Sequence, residues 1–244
     1  AGVHPLLLAI GSERYMPFRE KRPEEILIQA NRILGSGQTS LAKFLFIADG
    51  SDNSHLDAHD YVYFLSHILE RTDWTRDLHF QTKTTIDTLD YSGDGWNAGS
   101  KVIIAACGPK LRSLGTTLPP FNALPPGFSN PKVIIPGVFA VEAPGFKNQD
   151  SYTDHAVLSS FLENYDLHKF PLCILCDDSD FLSYNISNFI WATFTRTNPS
   201  HDIHGVHAFT ENKHWGCRGT LLFDARIKPH HAPPLVIDAK VSNK

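Results

Sequence analysis

Apolar residues fall into two spacings along this chain, and the two alternate. Residues 6–10 and 44–48 are short unbroken apolar runs, the pattern of strands buried on both faces of a parallel sheet. Between them Ile26, Ala30, Ile33 and Leu34 recur at helical spacing, behind Pro23-Glu24-Glu25 and ahead of Gly35 and Gly37. Proline and acids suit a helix start, and glycine suits its end. Tyr61, Phe64, Leu65, Ile68 and Leu69 predict a second helix, and residues 78–81 and 102–106 predict further strands.

The second half follows the same order. Residues 133–135 and 138–141 are β-like, and Val157, Phe161 and Leu162 fit a helix starting near Ser151. Leu172–Cys176 reads as a buried strand, and Ile186, Phe189, Ile190 and Thr193 fit another helix. Residues 203–209 and 221–223 complete the expected sheet. Between the halves, residues 118–127 hold four prolines, which no central strand or helix interior tolerates.

The halves also share local signals. Residues 43–79 and 169–204 each run from an apolar stretch into acids, then a helical segment, then Arg-Thr, then Asp-apolar-His. Arg71-Thr72 precedes Asp77-Leu78-His79 at the interval at which Arg196-Thr197 precedes Asp202-Ile203-His204. A repeat this long implies duplication of a whole unit rather than a solenoid. The predicted fold is α/β: two tandem Rossmann-like three-layer αβα units with mostly parallel sheets. The first spans residues 1–115 and the second 133–244, with a Pro-rich connector at 116–132.

Composition narrows the function classes. With 42% hydrophobic and 20% charged residues, a sizeable core is expected. A net charge of −4 gives no general attraction to nucleic acid, and none is expected as a partner. No apolar run approaches the roughly 20 residues a membrane helix needs, although peripheral membrane contact stays open. The chain starts at Ala1 and has one methionine, Met16, which reads as a piece of a longer protein. Of the four cysteines, Cys173 and Cys176 have metal or redox spacing. They sit in an apolar run with no second half-site, so buried thiols in a reducing cytoplasm are expected.

Asp49 and Asp52, and in the second half Asp177, Asp178 and Asp180, follow the two buried strands. Ligands of open parallel sheets bind beyond such strand ends, so these acids are the candidate ligand residues. Helix capping and turn formation account for the same residue types. His201, His204 and His207 are three apart, but in a strand His204 would face away from the other two. Gly35-Ser36-Gly37 ends a helix instead of opening one, and no Gly-x-Ser-x-Gly occurs, so nucleotide and hydrolase fingerprints are missing.

Several ordered motifs resemble the carboxyl-terminal region of UbiD-type decarboxylases. They are Lys43-Phe-Leu-Phe-Ile-Ala-Asp49, Leu69-Glu-Arg71 with Asp73-Trp-Thr-Arg-Asp77, and Cys173-Ile-Leu-Cys-Asp-Asp178. Ile190-Trp-Ala-Thr-Phe-Thr-Arg196, Asn198-Pro199 with Asp202, and Arg218-Gly-Thr-Leu-Leu-Phe-Asp224-Ala225 continue the series over nearly the whole chain. Asn198 stands where the family has Asp, a mild departure.

The resemblance implies a carboxy-lyase acting on an aromatic or α,β-unsaturated acid, such as polyprenyl-4-hydroxybenzoate. It implies prenylated flavin mononucleotide, manganese and potassium in the full-length protein, held by a preceding flavin domain of the same polypeptide. For this region it implies a scaffold that drives homo-oligomerisation, with no catalytic, cofactor or metal residue of its own. Glu20 and Glu25 mimic the family's glutamate pair but lie in a charged helix entry. The competing expectation is a free-standing α/β module that binds a small ligand at the acid-rich strand ends.

Overall fold

A computed structural model describes residues 5–14, 18 and 20–233. Its first half contains β1 (Leu6–Gly11), α1 (Glu25–Leu34), β2 (Phe44–Asp49), α2 (Tyr61–Leu69), β3 (Leu78–Thr84) and β4 (Gly99–Ala106). Every residue of β2 and β4 is buried, which makes them the central strands. Ile26, Ala30 and Leu34 are the buried stripe of α1, and its end is closed by the Gly35 N–H on the Asn31 carbonyl and the Ser36 N–H on the Ile33 carbonyl. Asp60 caps α2, its side chain accepting the Tyr63 N–H at 3.0 Å.

The second half contains β5 (Ser129–Ile135), β6 (Val138–Glu142), α3 (Asp154–Leu162), β7 (Leu172–Cys176), α4 (Ser179–Tyr184), α5 (Ile186–Arg196) and α6 (Pro199–Asp202). It ends with β8 (Ile203–Gly205), β9 (Ala208–Glu211), β10 (His214–Cys217) and β11 (Leu221–Asp224). Leu158 and Leu162 are the buried face of α3, whereas Val157, expected there, is 47% exposed.

Both main sheets are mixed. The first has the order β1-β2-β4-β3, with three parallel strands and β3 antiparallel at the edge. The second has the order β5-β6-β7-β11-β8, parallel from β6 to β11 with an antiparallel strand at each edge. Leaving β5 aside, strand order and polarity match between the sheets. The predominantly parallel sheets expected from the sequence therefore have antiparallel edges.

The strand predicted over 203–209 is interrupted. Residues 206–207 turn, with His207 at φ 52°, and 208–211 join β10 in a separate two-stranded hairpin. Gly205 permits this, because a Cβ there would lie 2.5 Å from Cys217 Sγ.

Alternation along the strands sorts the core. Leu45 and Ile47 meet Ile26 and Ala30 of α1, while Cys173 and Leu175 meet Leu158 and Leu162 of α3. The other faces meet each other: Phe44, Phe46, Ile174 and Phe223 share one cluster with side chains of α2 and α5. Phe44 lies 5.0 Å from Phe194 and 5.7 Å from Phe223, so the two sheets are joined through a common apolar centre. The Pro-rich segment crosses outside, with Phe121 4.9 Å from Tyr165. Among the described residues, no helix is long and apolar enough to cross a membrane.

Candidate functional site

The acids predicted as ligand residues lie at the carboxyl ends of β2 and β7. Asp49 and Asp52 share one cation, Lys21, whose Nζ donates at 2.7 and 2.9 Å. Asp49 also accepts from the Ser51 N–H and hydroxyl, and Asp52 accepts the Gly108 N–H at 2.5 Å. Burial works against the charged form of Asp49, but Lys21 and Ser51 outweigh it and hold the carboxyl below its ordinary range.

In the second half the acids diverge. Asp177 accepts the Ile227 N–H at 2.8 Å and lies 3.4 Å from Arg196. Asp178 caps α4 by accepting the Phe181 N–H, and Asp180 meets Lys132 and Asn130. Carboxylate oxygens of Asp178, Asp180 and Glu142 come within 4.8 Å of one another. That group is at the surface, and the Lys132 ammonium already neutralises Asp180.

A second acidic position recurs deeper in the molecule. The Asp73 N–H donates to Asp77 at 2.8 Å, and the Asn198 N–H donates to Asp202 at 2.7 Å. Both carboxylates are buried and both close a turn before an antiparallel strand. The register aligns the neighbouring strands as well. Leu78 pairs with Ile104 where Ile203 pairs with Phe223, which sets Ala105 of β4 against Asp224 of β11. Continuing outward, Cys107 corresponds to Arg226 and Pro109 to Lys228.

That substitution of charge for apolar chain builds a network in the second half alone. Arg226 is fully buried, and its guanidinium donates to Asp224, Asp154 and the Pro144 and Ser151 carbonyls at 2.6–2.9 Å. All five of its N–H groups are used. Lys228 stands 3.3 Å from Asp202 and 3.9 Å from Asp224, and donates to the Asp224 carbonyl at 3.0 Å. Burial raises Asp224, but the bonds from Arg226 outweigh it and hold this acid low. Asp202 has weaker compensation from Lys228, and burial pushes it up to about 6.

The network crosses to the first half through Lys43, at the foot of β2. This fully buried ammonium lies 2.9 Å from Asp90, donates to the Thr197 carbonyl at 2.9 Å and meets Ser92. Ser100 meets Asn198 and accepts the Ser200 N–H at 2.8 Å. Trp74 Nε1 donates to the Pro171 carbonyl at 2.8 Å. A cavity of about 780 Å³ opens above this seam, with Asp90, Asp94, Asn198 and Asp202 in its wall.

Among the described residues, the histidines do not gather into a ligand set. His201 lies in α6, His204 in β8 and His207 in the following turn. His204 instead stacks on His155, with centroids 3.4 Å apart and rings within 5° of parallel. Burial first, then the neighbouring imidazole, pushes His204 down to about 3. All four cysteines are free and buried, and burial pushes Cys107, Cys176 and Cys217 up to about 12. Thiols held protonated in this way are poor nucleophiles and poor metal ligands.

The buried network was the feature missed in the sequence. Its signal was Asp224-Ala-Arg226-Ile-Lys228, three charges at strand spacing on one face, directly after an apolar strand.

Comparison with known proteins gives a consistent picture. Residues 1–106 match the family model described as the 3-octaprenyl-4-hydroxybenzoate carboxy-lyase C-terminal domain. All of the chain aligns with an uncharacterised protein of Chlamydia trachomatis, at 34% identity over 248 residues. All of it also aligns with a Chlamydia pneumoniae protein named as a 4-hydroxybenzoate decarboxylase subunit, at 32% identity over 244 residues. The chain spans 38% of the length of each of these relatives.

Proposed function

We propose that this chain is the structural C-terminal part of a decarboxylase, because its residues 1–106 match the family model of the 3-octaprenyl-4-hydroxybenzoate carboxy-lyase C-terminal domain. The whole protein would remove carboxylate from an aromatic or α,β-unsaturated acid, with 4-hydroxybenzoate and its polyprenyl derivatives as first candidates. The observation that carries this reading is the alignment of the entire chain with 38% of a protein named as a 4-hydroxybenzoate decarboxylase subunit.

In this reading residues 1–115 and 133–244 are diverged Rossmann-like copies of one unit, joined by the connector at 116–132. Their matching strand order and the paired turns at Asp77 and Asp202 support a duplication. The partners are a flavin domain in the same polypeptide and further copies of the protein. The role of this region is to hold that domain, so that closure of the substrate cleft excludes water and sets geometry.

Prenylated flavin mononucleotide, with manganese and potassium, is the cofactor set that this reading implies for the whole enzyme. The acidic sites among the described residues do not fit it. The cavity wall carries Asp90, Asp94 and Asp202 and no lysine or arginine, a poor match for a phosphate dianion. The Asp178, Asp180 and Glu142 group is exposed and partly neutralised by Lys132. No catalytic step is therefore assigned to these residues.

The test has two arms. The complete protein, loaded with prenylated flavin, is assayed for carbon dioxide release from 4-hydroxybenzoate and a panel of aromatic and unsaturated acids. Turnover of one of them is expected, and none across the panel would overturn the decarboxylase reading. The chain alone is titrated with the flavin and manganese while absorbance is followed. Saturable binding would overturn the scaffold reading.

A further inference from the structure

The two main sheets end in four edge strands, β1 and β3 in the first and β5 and β8 in the second. An open edge is a row of unpaired N–H and C=O groups, and proteins protect it with charge, proline, register breaks or shortness. Three of the four edges are protected in this way. β3 carries Lys83 and slips register between Gln81 and Thr84. β5 carries Pro131 and Lys132 and slips twice against β6. β8 is only three residues long.

β1 has none of these devices. Its sequence, Leu6-Leu-Leu-Ala-Ile-Gly11, holds no charge and no proline, and six successive residues pair with β2 without a break. Leu8 packs on the common apolar centre, while Leu7 and Ala9 pack on the α1 side. Apolar residues on both faces mark a strand of the sheet interior. β1 is therefore built as an interior strand and lies at an edge.

The second sheet shows what a further strand does in that place. β6 holds the position there that β1 holds in the first sheet, and β5 folds back on it antiparallel through the turn at Pro136-Gly137. With β5 present, Val138, Phe139, Ala140 and Val141 are all 0% exposed. β1 has no such cover among the described residues: only Leu6 is buried, and Ile10 is 45% exposed.

We propose that the free edge of β1 takes up an extended strand, antiparallel as β5 is on β6, from the part of the polypeptide outside this chain. Backbone hydrogen bonds would hold that strand, and its apolar side chains would cover the half-exposed residues of β1. The chain spans 38% of the length of its relatives, so the greater part of such a protein is there to supply it. β5 favours the same polypeptide over a second copy, because the cover of the second sheet is drawn from its own chain and needs no association step. The inference rests on reading this chain as one part of a longer protein, and it names the edge by which the remainder is held.

In the complete protein, hydrogen exchange of residues 6–11 is compared with that of residues 138–142. Protection equal within about threefold is expected, whereas an open edge leaves alternate β1 amides exchanging on the order of a hundredfold faster and overturns the proposal. Ile10→p-benzoylphenylalanine, a change at a half-exposed site, is then irradiated in the complete protein. A cross-link within one polypeptide, to a residue beyond these 244, is expected. A cross-linked dimer would assign the edge to a second copy and overturn the proposal, as would a cross-link confined to this chain or none at all. Neither readout involves turnover. A protected, cross-linked edge in a protein that turns over no acid sinks the decarboxylase reading alone, and an open edge in an active decarboxylase sinks this inference alone.

Discussion

The turn from Asp73 to Asp77 and the turn from Asn198 to Asp202 share a hydrogen bond from a backbone N–H to a carboxylate, and they neutralise that carboxylate in opposite ways. Asp77 is answered locally, by Arg76 at 2.5 Å, a neighbour whose own side chain is 36% exposed. Asp202 is answered from far along the chain, by a fully buried lysine that also serves Asp224. The first arrangement survives changes elsewhere in the fold. The second requires β11, the segment after it and α6 to be in place together, and so makes the seam a tertiary feature. The same turn is a local staple in one half and a tertiary lock in the other.

Removing the lock should have the largest effect. Lys228→Met strands Asp202 and Asp224 beside one another, and a loss of about 3–5 kcal/mol in denaturant unfolding is expected. The double variant Lys228→Met, Asp202→Asn should recover part of that loss. A cost below about 1 kcal/mol for the single change would mean that the two turns are equivalent after all.

Acid should separate the two turns next. His79 and His204 occupy the same place after them, and burial depresses these histidines to about 4 and about 3. A histidine whose folded value is lowered contributes stability above its unfolded pKa of about 6.5, and that stability is lost as pH falls toward the folded value. For His204 the loss is about 2 kcal/mol by pH 5. The raised Asp202 acts in the opposite sense, recovering some stability as pH falls through 6. Thermal melts from pH 7 to 3.5 should flatten in both His79→Gln and His204→Gln. Below pH 4 only the advantage of His204→Gln should keep growing, and indistinguishable profiles there would remove the difference between the halves.

The smallest effect belongs to the staple. Arg76→Gln leaves the buried Asp77 with the Asp73 N–H and a neutral amide in place of the partly exposed guanidinium, so about 1–2 kcal/mol is expected. A cost equal to that of Lys228→Met would show that the local pair matters to the fold as much as the buried one.

Much of the fold was legible in residue order. Strands β2 and β7 carry apolar side chains on both faces, and only a covered sheet accepts that pattern. The stripes of α1, α2 and α5 follow from spacing, and the duplicated Arg-Thr and Asp-x-His signals marked equivalent turns. The carboxyl-end acids were found, though only their local capping roles could be read there. Which of them gather around Lys21 or Lys132 depends on segments far away in sequence. The strand predicted over 203–209 failed at His207, because nothing in residue type reveals that Gly205 must clear Cys217.

The order of buried strands and helices thus follows from the sequence, since hydrophobic periodicity is a local property that each segment carries with it. Strand polarity at the sheet edges, the shared apolar centre around Phe44 and Phe194, and the burial of Lys43, Arg226 and Lys228 emerge only once the chain is packed. A charged side chain reads as solvent-exposed until its partners are known. The partners of these three come from both halves of the chain, and only the packed seam offsets the cost of taking their charges out of water.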